Sequence, residues 1–296
     1  MTTSRHPALE CGADIRAARR AFLGLLGAGG MVAACGAVAA GDARKQAERP
    51  WRMLVNEAVT GESNIFVLTS RYQPLSEYIT GQLRAHPVIN VEPTVDIQRF
   101  LTIARSPVKP ELVFGKSVNQ LAKLVRDEHY QPLVRRADAY KAAFIVSKDS
   151  AILTLADVGR TRAKVIMPDE FAATTAVARA ELRRVGADGA QVVHTRYQEA
   201  VAQQITHGFA QVGVVNPTIA RKWAEGGGRV LAETQPVVNW SILAAPTLAD
   251  ADVALLRTAL LAMNTQSPAL LATLGIKQWA AAERQDYLAL LDYTKE

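Results

Sequence analysis

The triplet Gly115-Lys116-Ser117 carries three groups that could bind one anion. It follows a predicted strand and opens a predicted helix. Free backbone amides, the ammonium of Lys116 and the hydroxyl of Ser117 could therefore converge on a single anionic group. It is not a phosphate-binding P-loop, because Pro110 stands where Gly-x4-Gly-Lys-Ser requires its first glycine. The alternative is that Lys116 is solvated and Ser117 is only a helix N-cap.

Residues at three further positions along the chain could orient a ligand. Arg196 stands at a predicted helix start, where a guanidinium can bind an oxyanion through two hydrogen bonds, although a solvated arginine explains it equally well. Asn216-Pro217 and Asn239-Trp240-Ser241 end predicted strands, and amide and indole groups in such places often fix a ligand's orientation. Ordinary turn chemistry is an equal explanation for Asn216-Pro217.

The composition argues against several kinds of site. The two cysteines, Cys11 and Cys35, precede the region that forms the predicted domain, so zinc–thiolate sites, disulfides and cysteine nucleophiles are excluded there. His194 and His207 lack partners at a catalytic or metal-binding spacing. The formal net charge is +6, and no basic run is interleaved with aromatic residues, so we expect no nucleic-acid partner. We also expect no cofactor, metal or catalytic residue.

Short apolar runs alternate with amphipathic stretches after Trp51, which predicts an α/β fold with parallel sheets and helices on both faces. The predicted strands span residues 52–55, 88–93, 111–114, 142–147, 164–167, 191–194, 212–215 and 230–231. The predicted helices span residues 73–85, 96–104, 117–127, 174–185, 197–208 and 217–224.

The C-terminal stretch 246–296 contains no predicted strand, only helices. A domain of about 250 residues is more readily built as two lobes than as one. We expect the chain to leave the first lobe near residues 142–147 and to return near 237–245, which gives two crossover strands and a cleft. The expected division is 51–142 with 238–296 for lobe 1, and 143–237 for lobe 2.

The N-terminus is typical of an export signal over residues 1–40, with a linker over 41–50. Arg19-Arg20-Ala21-Phe22-Leu23 precedes an uncharged run and resembles a twin-arginine signal, and the general secretion route stays open. Val32-Ala33-Ala34-Cys35 resembles a lipobox, while cleavage near Ala39 or Ala40 fits as well. We expect a periplasmic protein whose only tie to a membrane would be a lipid on Cys35.

Several short motifs occur in an order that resembles the PhnD-like, phosphonate-binding branch of ABC-transporter substrate-binding proteins. They are Tyr72-Gln73-Pro74-Leu75, Glu111 to Gly115, Tyr140, Lys148-Asp149-Ser150, Leu155 to Gly159 and Asp286-Tyr287-x-x-Leu290. The resemblance covers essentially everything after Trp51. It implies a type II periplasmic-binding fold: two α/β lobes with a hinge and a ligand cleft between them.

The resemblance also implies ligand positions, and this chain departs from the family at several of them. The second-lobe Ser/Thr-Ser-Gly cluster of the family appears within Pro168 to Thr175, where alanines take probable hydroxyl positions and Thr174 and Thr175 remain. Asp169 and Glu170 could themselves occupy the helix amides. The family's Ser-His pair appears as Arg196-Tyr197.

Aromatic contacts are expected from Tyr72, placed in a loop before a first-lobe helix, and from Tyr140 and Tyr197, although ordinary packing is the alternative for each. The family's Gly-x-x-Asp appears as Gly208-x-x-Gln211, so a ligand amino group is less expected.

The expected function is that of a monomeric solute-binding protein, not an enzyme. Its ligand would be a small anion, either a phosphonate- or phosphate-like oxyanion or a carboxylate. The implied partner is an inner-membrane ABC permease, with a sensor kinase that reads the closed form as the alternative. An enzyme on the same scaffold would require a convergent nucleophile or acid–base pair.

Overall fold

The computed structural model describes residues 49–58, 64–83 and 88–296. The described residues lie within one compact unit, Glu48–Glu296. The predicted export signal, Cys35 and the linker up to residue 48 lie outside the described residues. None of the helices in the described ranges is both long and apolar enough to cross a membrane.

The first sheet has six strands in the order β11-β4-β10-β3-β1-β2. They are β1 (Trp51–Asn56), β2 (Ile89–Thr94), β3 (Leu112–Gly115), β4 (Gln131–Arg136), β10 (Ser241–Ala244) and β11 (Trp279–Ala281). β2 and β3 run parallel to β1, whereas β10 runs antiparallel to both β3 and β4. The helices interspersed with these strands are α1 (Ile65–Gln82), α2 (Ile97–Ala104), α3 (Val118–Asp127), α8 (Asp250–Gln266), α9 (Pro268–Thr273) and α10 (Arg284–Thr294).

The second sheet has five strands in the order β7-β6-β8-β5-β9. They are β5 (Ala143–Val146), β6 (Lys164–Met167), β7 (Gln191–His194), β8 (Val212–Val215) and β9 (Arg229–Glu233). β6 is parallel to β7 and β8, and β5 is antiparallel to β8 and β9. Its helices are α4 (Leu155–Arg160), α5 (Ala173–Arg184), α6 (Gln198–Thr206) and α7 (Pro217–Glu225).

The chain crosses between the sheets twice, and the two crossing segments pair with each other. Tyr140 and Val237 form an antiparallel bridge in which each backbone N–H donates to the other residue's carbonyl at 2.9 Å. Each lobe therefore contains one sheet with its helices, and the cleft lies beside this paired hinge. The predicted fold class, two α/β lobes joined by two crossover strands, is confirmed.

Helix α1 shows how the sequence pattern fixes an element of the first lobe. Leu68, Tyr72, Leu75 and Ile79 recur at helical spacing and are all buried against the first sheet. The predicted start near Gln73 was wrong, since the helix begins eight residues earlier at Ile65. Pro74 resembles a first-turn proline but lies inside the helix, so Tyr72 is helical and not in a loop.

Other differences concern short or antiparallel elements. The parallel sheets predicted from strand–helix alternation are mixed, because the strand that enters or re-enters each lobe runs against its neighbours. β4, α4 and β11 were not predicted, and β11 contradicts the prediction of a strand-free C-terminal stretch. β11 has three residues and is anchored by Asn264, whose side chain pairs with both backbone groups of Trp279 at 2.8 and 2.9 Å.

Helix α10 contacts both lobes. It packs against α3 of the first lobe and α5 of the second. The Tyr293 hydroxyl donates to Glu181 at 2.8 Å, and Arg183 donates to the carbonyl of Thr294 at 2.6 Å. The C-terminal helix is thus a further connection between the lobes.

Candidate functional site

A cavity of about 400 Å³ lies between the two lobes beside the hinge. Its lining comes from the first lobe, the crossing segments and the second lobe together. The lining residues are Glu57, Ala58, Lys116, Arg136, Asp138, Ala139, Tyr140, Ala172, Ala173, Thr174, Gln198, Asn216, Pro217, Thr218, Asn239 and Trp240.

The first-lobe wall is built around the buried carboxylate of Glu57, which follows the carboxyl end of β1. Tyr72 donates its hydroxyl proton to Glu57 at 2.7 Å, and Arg71 donates to both carboxylate oxygens at 2.8 Å. Lys116 follows β3 and places Nζ 3.1 Å from Glu57 Oε2. Its backbone N–H donates to the carbonyl of Asn56, so pairing of β1 with β3 brings the two side chains together.

Burial and charge act in opposite directions on this cluster. The side chains of Glu57 and Lys116 are only 5% and 10% exposed. Burial raises the pKa of Glu57, but Lys116 and the hydrogen bonds from Arg71 and Tyr72 outweigh it, so the pKa lies below its ordinary value of 4.5. Burial lowers the pKa of Lys116, and Glu57 offsets part of that effect.

The lowered pKa of Glu57 predicts a loss of stability in acid. A carboxylate whose pKa is lower in the folded state stabilises the fold above its unfolded pKa, and that stabilisation is lost as pH falls through the folded value. The free energy of unfolding should therefore decrease as the pH is lowered below about 4.5. Glu57→Gln should make the free energy of unfolding depend less steeply on pH in that range. Urea unfolding between pH 3 and 7 measures both; equal slopes in the two proteins would contradict the assignment.

The indole ring of Trp240 lines the cavity and contacts two cations. Lys116 Nζ lies 4.1 Å, and the guanidinium carbon of Arg136 4.4 Å, from the centre of the indole. Arg136 also donates two hydrogen bonds to Asp138, at 2.9 and 2.6 Å. Such cation–π contacts hold both cations at the cavity wall.

The opposite wall, formed by second-lobe residues together with Tyr140 of the first crossing segment, is uncharged and connected by hydrogen bonds. The hydroxyls of Tyr140 and Thr174 lie 2.5 Å apart, and Gln198 donates to Thr174 Oγ1 at 3.2 Å. The side-chain oxygen of Gln198 accepts a hydrogen bond from the backbone N–H of Asn216 at 2.7 Å. Burial raises the pKa of Tyr140 to about 12, with Thr174 offsetting part of the shift, so the phenol stays protonated at neutral pH.

Helix α5 points its N-terminus at the cavity through Ala172, Ala173 and Thr174. Ala172 is the N-cap and offers no side-chain cap. The carboxylate of Asp169 accepts instead from the N–H of Phe171, at 2.9 Å. Asp169 and Glu170 line a different cavity of about 470 Å³, so within the described residues no carboxylate contacts these first helix amides.

Five of the ten predicted ligand contacts come together in the cavity lining. They are Lys116, Tyr140, Thr174, Asn216 and Trp240. The other five do not reach it in this structure, so their ligand contacts stay predictions.

Three of those five are buried behind the cavity wall. Tyr72 packs on Phe114 and bonds Glu57. Thr175 bonds the carbonyl of Pro168. Ser117 caps α3 by position but makes no side-chain cap bond, and its buried hydroxyl has no partner in the described part of the chain.

The remaining two, Arg196 and Tyr197, lie outside the main cavity. Arg196 lines the cavity beside Asp169, and its guanidinium lies 5.2 Å from the Tyr197 ring centre. His194, which lines the same cavity, bonds the carbonyl of Pro168 and Arg179. Across the residues that the structure describes, no three His, Cys, Asp or Glu side chains could hold a metal ion.

Sequence reasoning identified Lys116 but missed the other charged lining residues, Glu57, Arg136 and Asp138, and also Gln198. Glu57 and Lys116 follow neighbouring parallel strands, and the carboxyl ends of such strands are where α/β proteins bind ligands. That position was the available signal for Glu57. Arg136 ends β4 and Asp138 follows it; β4 was itself not predicted, so no signal of this kind existed for them.

Comparison with known proteins shows the family of this chain. A family model described as "ABC transporter, phosphonate, periplasmic substrate-binding protein" matches residues 66–287. No curated protein matches the chain.

Several solved structures share the fold at low sequence identity. XAC2383 from Xanthomonas citri, bound to chloride, aligns with a TM-score of 0.68 and 15% identity, over 82% of this chain and 97% of the other. PhnD1 from Prochlorococcus marinus, in complex with methylphosphonate, gives 0.66 and 14%, over 83% and 98%. A phosphonate-transporter binding protein, PA3383 from Pseudomonas aeruginosa, gives 0.62 and 15%, over 83% and 86%.

Proposed function

Because the chain belongs to the family of periplasmic phosphonate-binding proteins of ABC transporters, we propose that its cleft captures a small anion and delivers it to an ABC permease. The anion is a phosphonate- or phosphate-like oxyanion or a small carboxylate. The observation that carries the proposal is the cavity of about 400 Å³, to which both lobes and the hinge contribute hydrogen-bonding groups.

Two features of the lining favour an anion. Lys116 and Arg136 bring two cations to one wall, and the uncapped start of α5 brings backbone amides to the other. The fold neighbour PhnD1 binds methylphosphonate, which supports an oxyanion of that size.

The proposed mechanism is a movement of the lobes about the paired segments at Tyr140 and Val237. Lobe 1 is 51–142 with 238–296, and lobe 2 is 143–237. A ligand that contacts both lobes binds the closed form more tightly than the open form, and so shifts the population toward it. The closed form is what the permease would recognise.

The location follows from the same proposal. The family is periplasmic, and export would use the signal over residues 1–40 by the twin-arginine or the general secretion route. Lipid attachment at Cys35 and cleavage near Ala39 or Ala40 are the two outcomes of processing, which denaturing mass spectrometry distinguishes. We propose that the protein acts as a monomer.

Calorimetric titration and small-angle scattering test the proposal. The probes are methylphosphonate, phosphite, inorganic phosphate and acetate, added to the purified exported protein. We expect one-to-one binding of at least one probe, a monomeric mass, and a smaller radius of gyration when bound. No binding and no compaction with any probe would reject it.

A matched pair of variants places the binding in this cavity. Arg136→Met should raise the Kd about tenfold, since hydrogen bonds to charged groups contribute about 1.5–3 kcal/mol. Arg99→Met removes an exposed guanidinium of α2 and should leave the Kd unchanged. Equal Kd values for Arg136→Met and wild type would show that the ligand binds at a site other than this cavity.

No observation favours the alternatives of a sensor kinase partner or an enzyme. An enzyme here would need a titratable group free to exchange protons in the cavity. The buried carboxylate that lines it, Glu57, is instead hydrogen-bonded to Arg71 and Tyr72 and ion-paired with Lys116.

A further inference from the structure

Gln198 lies buried at the start of α6 and connects the beginnings of three helices. Its side-chain oxygen accepts from the backbone N–H of Asn216, the N-cap of α7, at 2.7 Å. Its amide nitrogen reaches the hydroxyl of Thr174 in the first turn of α5, at 3.2 Å. Because the Asn216 N–H can only donate, the oxygen of Gln198 must face it, and the NH₂ group must face Thr174.

This orientation determines what the hydroxyls of Thr174 and Tyr140 can offer a ligand. The two hydroxyls carry two protons, and one proton lies in the 2.5 Å hydrogen bond between them. Gln198 only donates to Thr174, so it takes up neither proton. Within the described residues, neither hydroxyl donates a hydrogen bond to any other protein atom, and both residues line the cavity. One O–H group therefore remains to donate into the cavity.

We propose that Gln198 is a positioning residue, which keeps the Tyr140–Thr174 hydroxyl pair as a hydrogen-bond donor toward the cleft. The subsite beside Thr174 then selects a ligand oxygen that accepts a hydrogen bond, such as an ionised phosphonate or carboxylate oxygen. The inference rests on the proposed function of the cleft as an anion site and assigns one wall of it.

Gln198→Glu tests the proposal with almost no change in shape. The introduced carboxylate still accepts from Asn216, but it accepts at Thr174 as well and draws the spare hydroxyl proton away from the cavity. We expect the Kd for methylphosphonate at pH 8 to rise about tenfold or more, since a lost hydrogen bond to a charged group costs about 1.5–3 kcal/mol.

A double-mutant cycle with Thr174→Val separates proton direction from simple charge repulsion. If the introduced carboxylate acts through the Thr174 proton, Gln198→Glu should raise the Kd by about threefold or less in the Thr174→Val background, where that hydroxyl is absent. The same loss in both backgrounds would show repulsion alone and would overturn the proposal.

The pH profile gives a second readout. Once protonated, the introduced carboxyl group donates to Thr174 as Gln198 does, so the ratio of variant to wild-type Kd should recover between pH 8 and pH 5. The other charged or titratable groups around the cavity, Tyr140, Glu57, Lys116, Arg136 and Asp138, are common to both proteins, so the ratio removes their effect. Gln203→Glu, an exposed change on the same helix, should give a ratio near one throughout. A pH-independent loss in Gln198→Glu would contradict the proposal.

Failure of the proposed function can be told apart from failure of this inference. If the wild type binds none of the four probes, the proposed function fails. Ligand-free thermal unfolding of Gln198→Glu then decides the role of Gln198. Burial raises the pKa of the introduced carboxyl group, so its stabilisation is present at low pH and lost as pH rises. The Tm deficit of the variant should widen from pH 5 to pH 8, and a constant deficit would overturn the inference.

Discussion

Replacing Lys116 with methionine is expected to destabilise the protein by about 3 kcal/mol and to abolish measurable ligand binding. The change removes a buried ammonium 3.1 Å from Glu57 and leaves that carboxylate with Arg71 as its cationic partner at 2.8 Å. Loss of one member of a buried pair typically costs about 3–5 kcal/mol, and the remaining Arg71 places the expected cost at the lower end. Urea unfolding followed by tryptophan fluorescence measures it.

Two comparisons make the result specific. Lys123→Met removes a partly exposed ammonium from α3, 3.5 Å from Glu296, and should cost less than about 1 kcal/mol. Combining Lys116→Met with Glu57→Gln removes the buried carboxylate that has lost one of its two cationic partners, and should recover part of the loss. A cost for Lys116→Met no larger than that for Lys123→Met would mean that the buried pair does not stabilise the fold.

Gly159→Ala should destabilise the second lobe by about 2 kcal/mol, although alanine is the better helix former. Gly159 lies in α4, where an added Cβ would stand 2.6 Å from the Cα of Ala187 and 3.2 Å from the carbonyl oxygen of Gly186. Backbone atoms cannot move aside as the end of a side chain can. Helix α4 would therefore have to move away from the loop that follows α5.

Gly81→Ala is the matched control. Gly81 is also helical, in α1, and an added Cβ would meet nothing within 4 Å. This substitution should stabilise the protein by about 0.5–1 kcal/mol through lower unfolded-state entropy and better helix propensity. Thermal unfolding of both variants should show shifts of opposite sign; a gain in Tm for Gly159→Ala would contradict the close approach at Ala187.

The repeating elements of the fold were predictable because their residues are buried in a regular pattern. β6, β7 and β8 were predicted with their observed bounds, since each is a short apolar run ended by polar residues. The missed elements lack that signal. α4 has six residues and forms with the help of a capping box between Thr154 and Asp157, and β4 carries Pro132 and two arginines.

The candidate site was less predictable because it depends on pairing between distant segments. Lys116 was identified from its place after a strand, but its buried partner Glu57 follows a different strand, and only the register of the two strands brings these side chains together. Gln198 carries no motif at all. Its role arises because Thr174 and Asn216, 24 and 18 residues away in the chain, meet it in space.

Helix α10 has a mechanical consequence. The lobes are joined by the two paired crossing segments and, through Tyr293 with Glu181 and Arg183 with Thr294, by a third attachment. In the proposed lobe movement, the α10 contacts would resist any change in the position of α5 relative to α3. The strength of the α10 attachment would then be part of the resistance that a ligand must overcome when the lobes move.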